Sequence, residues 1–85
     1  MRPVRLDSDA VSDLDWWSGH DPDGAERVAA LIRFTQKNPF EGFGDPERLP
    51  PPLNGLWSRR INDEHFLVYE VSKTGIRILA CRTER

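Results

Sequence analysis

The sequence predicts an α+β domain, because helix-type and strand-type patterns occupy different parts of the chain. In the first half, apolar residues recur at helical spacing in two stretches. From Leu56 onward the pattern changes to three strand-type segments. With a short strand at residues 3–6, the predicted order of elements is β-α-α-β-β-β.

The first helix is predicted to begin near Ser8. Asp7 and Asp9 flank this serine, and the three residues supply N-capping and acidic first-turn signals. Three apolar residues then fall on one helical face: Ala10, Leu14 and Trp17.

A turn and a second helix are predicted next. Gly19, Pro22 and Gly24 are expected to form the turn. The second helix should end before Pro39, with Lys37 near its C-terminus, since the residue before a proline disfavours helical backbone. The apolar face of this helix comprises Ala25, Val28, Ala29 and Ile32.

Residues 39–55 are predicted to form a packed irregular loop. They contain five of the seven prolines and three glycines. Apolar side chains are interleaved with them, which distinguishes the segment from a disordered linker: Phe40, Phe43, Leu49 and Leu53.

The three C-terminal strands are predicted at residues 56–61, 65–71 and 76–82, with SKTG as the hairpin turn between the last two. In so short a chain, the two helices are expected to pack on one face of an antiparallel sheet. The other face would then be available to a ligand.

Length and composition indicate one domain, residues 1–85, with no cofactor or metal site. The single cysteine, Cys81, is expected to be a small buried thiol. No apolar run is long enough for a transmembrane helix and no signal peptide is recognisable, so a cytoplasmic protein is expected.

Charge is distributed unevenly. Residues 1–26 hold seven acidic and two basic residues, whereas residues 27–85 hold seven acidic and ten basic residues. The net charge of −2 opposes strong attraction to nucleic acid, although the basic second part permits local phosphate binding.

Residues 39–69 carry the most specific pattern in the chain. PFEGFGDPERL is followed, after the prolines, by LNGLWSRRINDEHFLVY. This order resembles the YoeB/Txe toxins of the RelE-like group, which are ribosome-dependent endoribonucleases. The Trp16–Trp17 pair and the ending ILACR extend the resemblance over nearly the whole chain.

The resemblance implies metal-independent cleavage that uses the RNA 2′-hydroxyl, and it implies three catalytic positions. Glu47 matches the glutamate that acts as general base, and Arg60 matches an arginine suited to the phosphate. Glu84 stands where the family has its catalytic histidine. Glutamate is normally ionised near neutral pH and is then a poor proton donor.

Four further residues are predicted to contact nucleic acid: Arg59, Phe66, Arg82 and Arg85. Phe66 replaces a family arginine that contacts the scissile phosphate, and Arg85 replaces the final tyrosine. Because Arg59 and Arg60 are adjacent on a strand, they point to opposite faces, and Arg60 is expected to face the substrate. An ion pair with Asp63 or Glu64 is the alternative role for Arg60.

His65 has two interpretations, a structural residue or a substitute acid, and the structural one is preferred. For the whole protein, the first hypothesis is a toxin with weakened activity, held silent by a YefM-like antitoxin and acting on messenger RNA in the ribosome. The second is a catalytically inactive binding module that pairs with such an antitoxin and acts on operator DNA only through it. A structural α+β domain is the third. A homodimer is a further expectation.

Overall fold

The computed structural model describes residues 2–84, which form two helices and five strands. The elements are β1 (Val4–Leu6), α1 (Ser8–His20), α2 (Pro22–Lys37), β2 (Glu47–Arg48), β3 (Leu56–Arg60), β4 (His65–Ser72) and β5 (Gly75–Glu84).

The five strands form one sheet in the order β1-β5-β4-β3-β2. The pairs β2–β3, β3–β4 and β4–β5 are antiparallel, whereas β1 runs parallel to β5. The α+β class and the RelE-like fold are confirmed. The structure adds the two-residue edge strand β2, which lies in the segment predicted to be an irregular loop. The sheet is mixed rather than wholly antiparallel, because the chain crosses over through both helices before it returns to pair with β1.

The two helices join at a tighter turn than the sequence predicts. Gly19 lies inside α1, Pro22 is the first residue of α2, and only Asp21 separates the helices. The Asp21 carboxylate caps α2 by accepting a 3.0 Å hydrogen bond from the Gly24 amide. A Cβ atom at Gly24 would lie 2.4 Å from the Trp17 ring, so this glycine permits the close approach of the helices.

The core lies between the helices and one face of the sheet. Its members are Ala10, Trp17, Val28, Leu31, Ile61, Leu67, Tyr69, Ile76, Ile78 and Cys81. Trp17 is central, since its indole Nε1 donates a 2.7 Å hydrogen bond to the Cys81 carbonyl and so ties α1 to β5.

Cys81 is a buried free thiol, as the sequence predicts. Burial, aided by the nearby Asp13 carboxylate, raises the pKa of this thiol to about 12. The thiol therefore stays protonated at physiological pH.

Candidate functional site

An open groove of about 830 Å³ lies on the sheet face opposite the helices. It is lined by Phe40, Gly42, Asp45, Pro46, Glu47, Leu49, Ser58, Arg60, Phe66, Val68, Thr83 and Glu84. The strand residues in this set alternate with the core residues Arg59 and Leu67, which point to the other face.

Glu47 reaches the groove through the short edge strand β2. It pairs with Ser58, which pairs in turn with Val68, so the three side chains form one row across the sheet. The Leu49 amide donates a 3.0 Å hydrogen bond to the Leu56 carbonyl and continues this pairing beyond β2. The loop that carries Glu47 is thus anchored to the sheet.

Arg60 lies in the next row. It pairs with Phe66, and Phe66 pairs with Thr83. The Arg60 amide donates a 2.6 Å hydrogen bond to the Gly44 carbonyl, while its side chain is exposed. Within residues 2–84 no salt bridge involves Arg60, so its guanidinium is available to a phosphate.

Glu84 lines the end of the groove opposite the edge strand β2. Its Oε1 lies 3.8 Å from His65 Nε2, and its side chain is 72% exposed. The Glu84 carboxylate therefore lies at the rim of the groove and also close to the buried His65 ring.

His65 packs among aromatic residues on the helix side. Its ring makes an edge-to-face contact with Trp17 at 5.2 Å. The Asn62 side chain accepts 2.8 Å and 2.9 Å hydrogen bonds from the His65 and Glu64 amides and lies 3.2 Å from His65 Nδ1. These contacts favour the structural role for His65 over the catalytic one.

Arg59, which the sequence analysis predicts to contact nucleic acid, is completely buried. Its guanidinium donates hydrogen bonds to the carbonyls of Phe43 (2.7 Å), Glu41 (3.0 Å) and Asn38, and to the Tyr69 hydroxyl (3.3 Å). A buried cation that is satisfied by main-chain carbonyls is a structural feature.

Tyr69 completes this arrangement, which we term the arginine clamp: Arg59, Tyr69 and the carbonyls of residues 38–43. The Tyr69 hydroxyl donates a 2.6 Å hydrogen bond to the Pro39 carbonyl. Burial raises the pKa of Tyr69, and the hydrogen bond and charge of Arg59 offset only part of this effect. The hydroxyl stays protonated and remains a donor.

The loop packs on the domain as the sequence predicts, but the arginine clamp supplies part of the contact and some apolar side chains stay exposed. Phe43 is 66% exposed and contacts Phe34 on the surface, at 4.6 Å between ring centroids. Polar contacts to a buried guanidinium hold residues 38–43, while Pro39 is buried and Phe40 packs against Trp57. The sequence signal for a buried arginine was the adjacent pair Arg59–Arg60, because neighbouring strand residues point to opposite faces of the sheet.

Arg82 does not line the groove. Its guanidinium stacks on Trp16, with Cζ 4.0 Å from the ring centroid, and Trp16 stacks on His20. Arg82 is thus placed against α1 and away from Glu47 and Arg60. The predicted contact of Arg85 lies outside the described residues.

The groove is acidic for a site that would hold a phosphate. Among its described lining residues, three carboxylates, from Asp45, Glu47 and Glu84, accompany the single guanidinium of Arg60. Phe66 adds an aromatic surface where the YoeB resemblance implies an arginine. The described groove residues therefore combine a candidate base with one candidate phosphate ligand, and they offer little further positive charge.

Two negative findings apply to residues 2–84. No group of three or more His, Cys, Asp or Glu side chains is arranged to hold a metal ion. Neither helix in this range has the length and apolarity that crossing a bilayer requires.

Residues 6–84 match the model of the YoeB-like toxin of bacterial type II toxin-antitoxin systems. The chain belongs to the YoeB toxin family. It is 44% identical over 82 residues to Toxin YoeB of Mycobacterium bovis, covering 96% of each chain.

Solved structures of YoeB-family proteins share the fold closely. The YoeB/ParE toxin from Agrobacterium tumefaciens superposes with a TM-score of 0.91 at 34% identity, over the whole of both chains. A YoeB dimer from Staphylococcus aureus gives a TM-score of 0.90 at 32% identity and covers 99% of this chain and 98% of that one. The YoeB–YefM complex from Staphylococcus aureus gives 0.86 at 30% identity and covers 100% of this chain and 99% of that one.

Proposed function

We propose that this YoeB-family toxin cleaves messenger RNA in the ribosomal A site, at a rate below that of family members with the complete set of catalytic residues. The observation that supports the proposal is the arrangement of Glu47 and Arg60 in neighbouring rows of one open groove. A carboxylate base and a guanidinium at this spacing suit attack by the RNA 2′-hydroxyl on its own phosphate.

In the proposed reaction, Glu47 takes the proton of the 2′-hydroxyl and the 2′-oxygen forms a bond to the adjacent phosphorus. Arg60 donates hydrogen bonds to the non-bridging oxygens as negative charge develops on them. The bond from phosphorus to the 5′-oxygen then breaks, and the departing oxygen takes a proton from Glu84, when protonated, or from water. The products are a 2′,3′-cyclic phosphate and a 5′-hydroxyl.

The expected weakening has two causes. Phe66 cannot supply the charge of the arginine it replaces, and loss of one such donor typically lowers a rate about 10²–10³-fold. A carboxylate at Glu84 is a poor acid, and loss of an acid costs roughly 10²–10⁴-fold. The two losses do not simply add, because the groups act in one transition state.

The test is cell-free translation of a defined messenger RNA with mapping of the 5′ ends of fragments. The unmodified protein should cut weakly at the A site, and Glu47→Gln should abolish the cut. Glu26→Gln is the matched control, since Glu26 is an exposed acid on α2 outside the groove. Absence of cleavage by a folded protein on saturated ribosomes would refute the catalytic proposal.

A catalytically inactive binding module is the second candidate. The acidic, aromatic groove favours it, because such a surface suits a basic peptide better than a polyanion. In both proposals the partner is a YefM-like antitoxin, as in the related complex from Staphylococcus aureus. Operator DNA would be bound only through that antitoxin, and the ribosomal substrate implies a cytoplasmic location.

Copurification with the product of the adjacent reading frame tests the antitoxin pairing. Light scattering of the isolated toxin tests the homodimer, which a relative from Staphylococcus aureus forms. A monomer that captures no neighbouring gene product would contradict both partner proposals. Stable pairing without any cleavage would favour the binding module.

A further inference from the structure

A second pocket of about 350 Å³ lies on the other side of the edge strand β2 from the groove. We call it the side pocket. Its lining includes Arg48, Asn54, Trp57 and Val71, and it shares Phe40 and Leu49 with the groove. The two concave surfaces are therefore continuous around the edge of the sheet.

Arg48 supplies the positive charge of the side pocket. It pairs with Trp57 across β2 and β3, and its Cζ lies 5.6 Å from the centroid of the Trp57 ring. This cation–π contact restricts an otherwise flexible side chain. Within residues 2–84 the Arg48 guanidinium makes no hydrogen bond or salt bridge, so its N–H donors remain unused.

Phe40 forms the wall between the two surfaces. Its side chain is 47% exposed, and its ring centroid lies 5.2 Å from that of Trp57. An exposed aromatic ring that is braced by a second ring offers a stacking platform for a base.

The side pocket and the groove have opposite charge balance. The described lining of the groove holds three carboxylates and one guanidinium, whereas that of the side pocket holds Arg48 and no carboxylate. A polyanion that enters the groove meets repulsion there. A cation around the edge of the sheet can offset this repulsion.

We propose that the side pocket binds a nucleotide of single-stranded RNA next to the cleaved phosphate, with its base stacked on Phe40 and its phosphate bound by Arg48. Phe40 and Leu49 line both surfaces at the edge of the sheet, so neighbouring nucleotides can occupy both. The inference rests on the proposed function only in taking RNA as the ligand. It requires no cleavage.

The test measures binding of a labelled 2′-O-methyl hexaadenylate by fluorescence anisotropy, without ribosomes. The 2′-O-methyl groups block the cleavage reaction, so binding is measured separately from the proposed activity. Phe40→Leu should weaken binding by roughly 5- to 140-fold, which corresponds to the 1–3 kcal/mol typical of one base stacked on an aromatic ring. Leucine keeps an apolar side chain in the loop but lacks the π-face.

Arg48→Gln should reduce the slope of log K against log salt by about 0.7, the value for one phosphate contact on a single strand. Arg48→Lys should restore most of that slope. Arg5→Gln is the matched control, because it removes the same charge from β1 at the opposite edge of the sheet. Urea titration of each variant checks that the fold is intact.

Three results would overturn the inference. One is absence of hexaadenylate binding at low salt, and another is equal slopes for Arg48→Gln and Arg5→Gln. The third is equal affinity for an abasic phosphodiester of the same length or for hexaglutamate, which would show that the side pocket recognises negative charge without a base. If the unmodified protein cleaves no messenger RNA on ribosomes but these binding effects are observed, only the catalytic proposal is refuted.

Discussion

Replacement of Arg59 should destabilise the fold far more than replacement of its neighbour Arg60. Arg59 is fully buried and donates four hydrogen bonds, three of them to carbonyls of the loop at residues 38–43. At roughly 1 kcal/mol net for each bond, Arg59→Ala should lower the free energy of unfolding by about 4 kcal/mol. Small domains have only about 5–15 kcal/mol in total.

The free energy of unfolding is measured by urea denaturation, monitored by intrinsic tryptophan fluorescence. Arg59→Lys should recover about half of the lost free energy of unfolding. The lysine ammonium keeps the charge, but it cannot reach all the carbonyls that the planar guanidinium contacts. Arg60→Ala is the control, and an exposed substitution of this kind should change stability by no more than about 0.5 kcal/mol.

Tyr69→Phe tests the same arginine clamp from its other end. It removes the hydroxyl that donates to the Pro39 carbonyl, and a cost of about 1–3 kcal/mol is expected because that carbonyl is left without its donor. A double-mutant cycle between Arg59 and Tyr69 should show coupling above about 0.5 kcal/mol. Equal destabilisation by Arg59→Ala and Arg60→Ala, or additive effects in the cycle, would refute the reasoning.

Three further predictions concern the helix junction, the thiol and the groove. Gly24→Ala should cost about 1–3 kcal/mol in thermal unfolding because its Cβ would meet the Trp17 ring at 2.4 Å, whereas Gly19→Ala, with nothing within 4 Å, should be neutral or stabilising. Burial raises the Cys81 pKa from 9.0 to about 12, so between these pH values the thiol ionises in the unfolded chain but not in the folded one. The free energy of unfolding should therefore fall as pH rises through this interval, and Cys81→Ala should flatten this part of the stability–pH curve. Phe66→Arg should raise A-site cleavage by about 10²–10³-fold if the groove is catalytic, and an unchanged fragment yield would contradict that role.

The sequence predicts both helices and the strands β1, β3, β4 and β5 because hydrophobic periodicity is a local property. The strand β2 has only two residues and is too short to carry such a pattern. The sequence analysis misplaces the helix junction, since Gly19 and Gly24 read locally as turn residues. Gly24 in fact serves a contact with Trp17, which is distant from the local pattern. The sequence analysis also expects a wholly antiparallel sheet, whereas β1 runs parallel to β5. Strand direction depends on the path of the chain through both helices, which no local pattern shows.

The candidate site could be predicted only in part. Strand alternation places Arg60 on the open face, as expected, and the same rule excludes Arg59. Nothing local shows that Arg82 stacks on Trp16, because the two residues meet only through the packing of α1 on β5. The side pocket also depends on tertiary structure, since it brings the loop residue Phe40 next to Trp57 on β3.

The alternation along β3 gives the two faces of this sheet different tolerance to mutation. Arg59 and its core neighbours are buried on one side of the sheet, whereas Arg60 and Phe66 lie on the other side, where Arg60 is exposed and Phe66 is partly buried. An exposed groove residue such as Arg60 can therefore be exchanged with less effect on the fold than a buried one such as Arg59. Single substitutions on the groove face can therefore alter what the groove binds, while the opposite face keeps the chain folded.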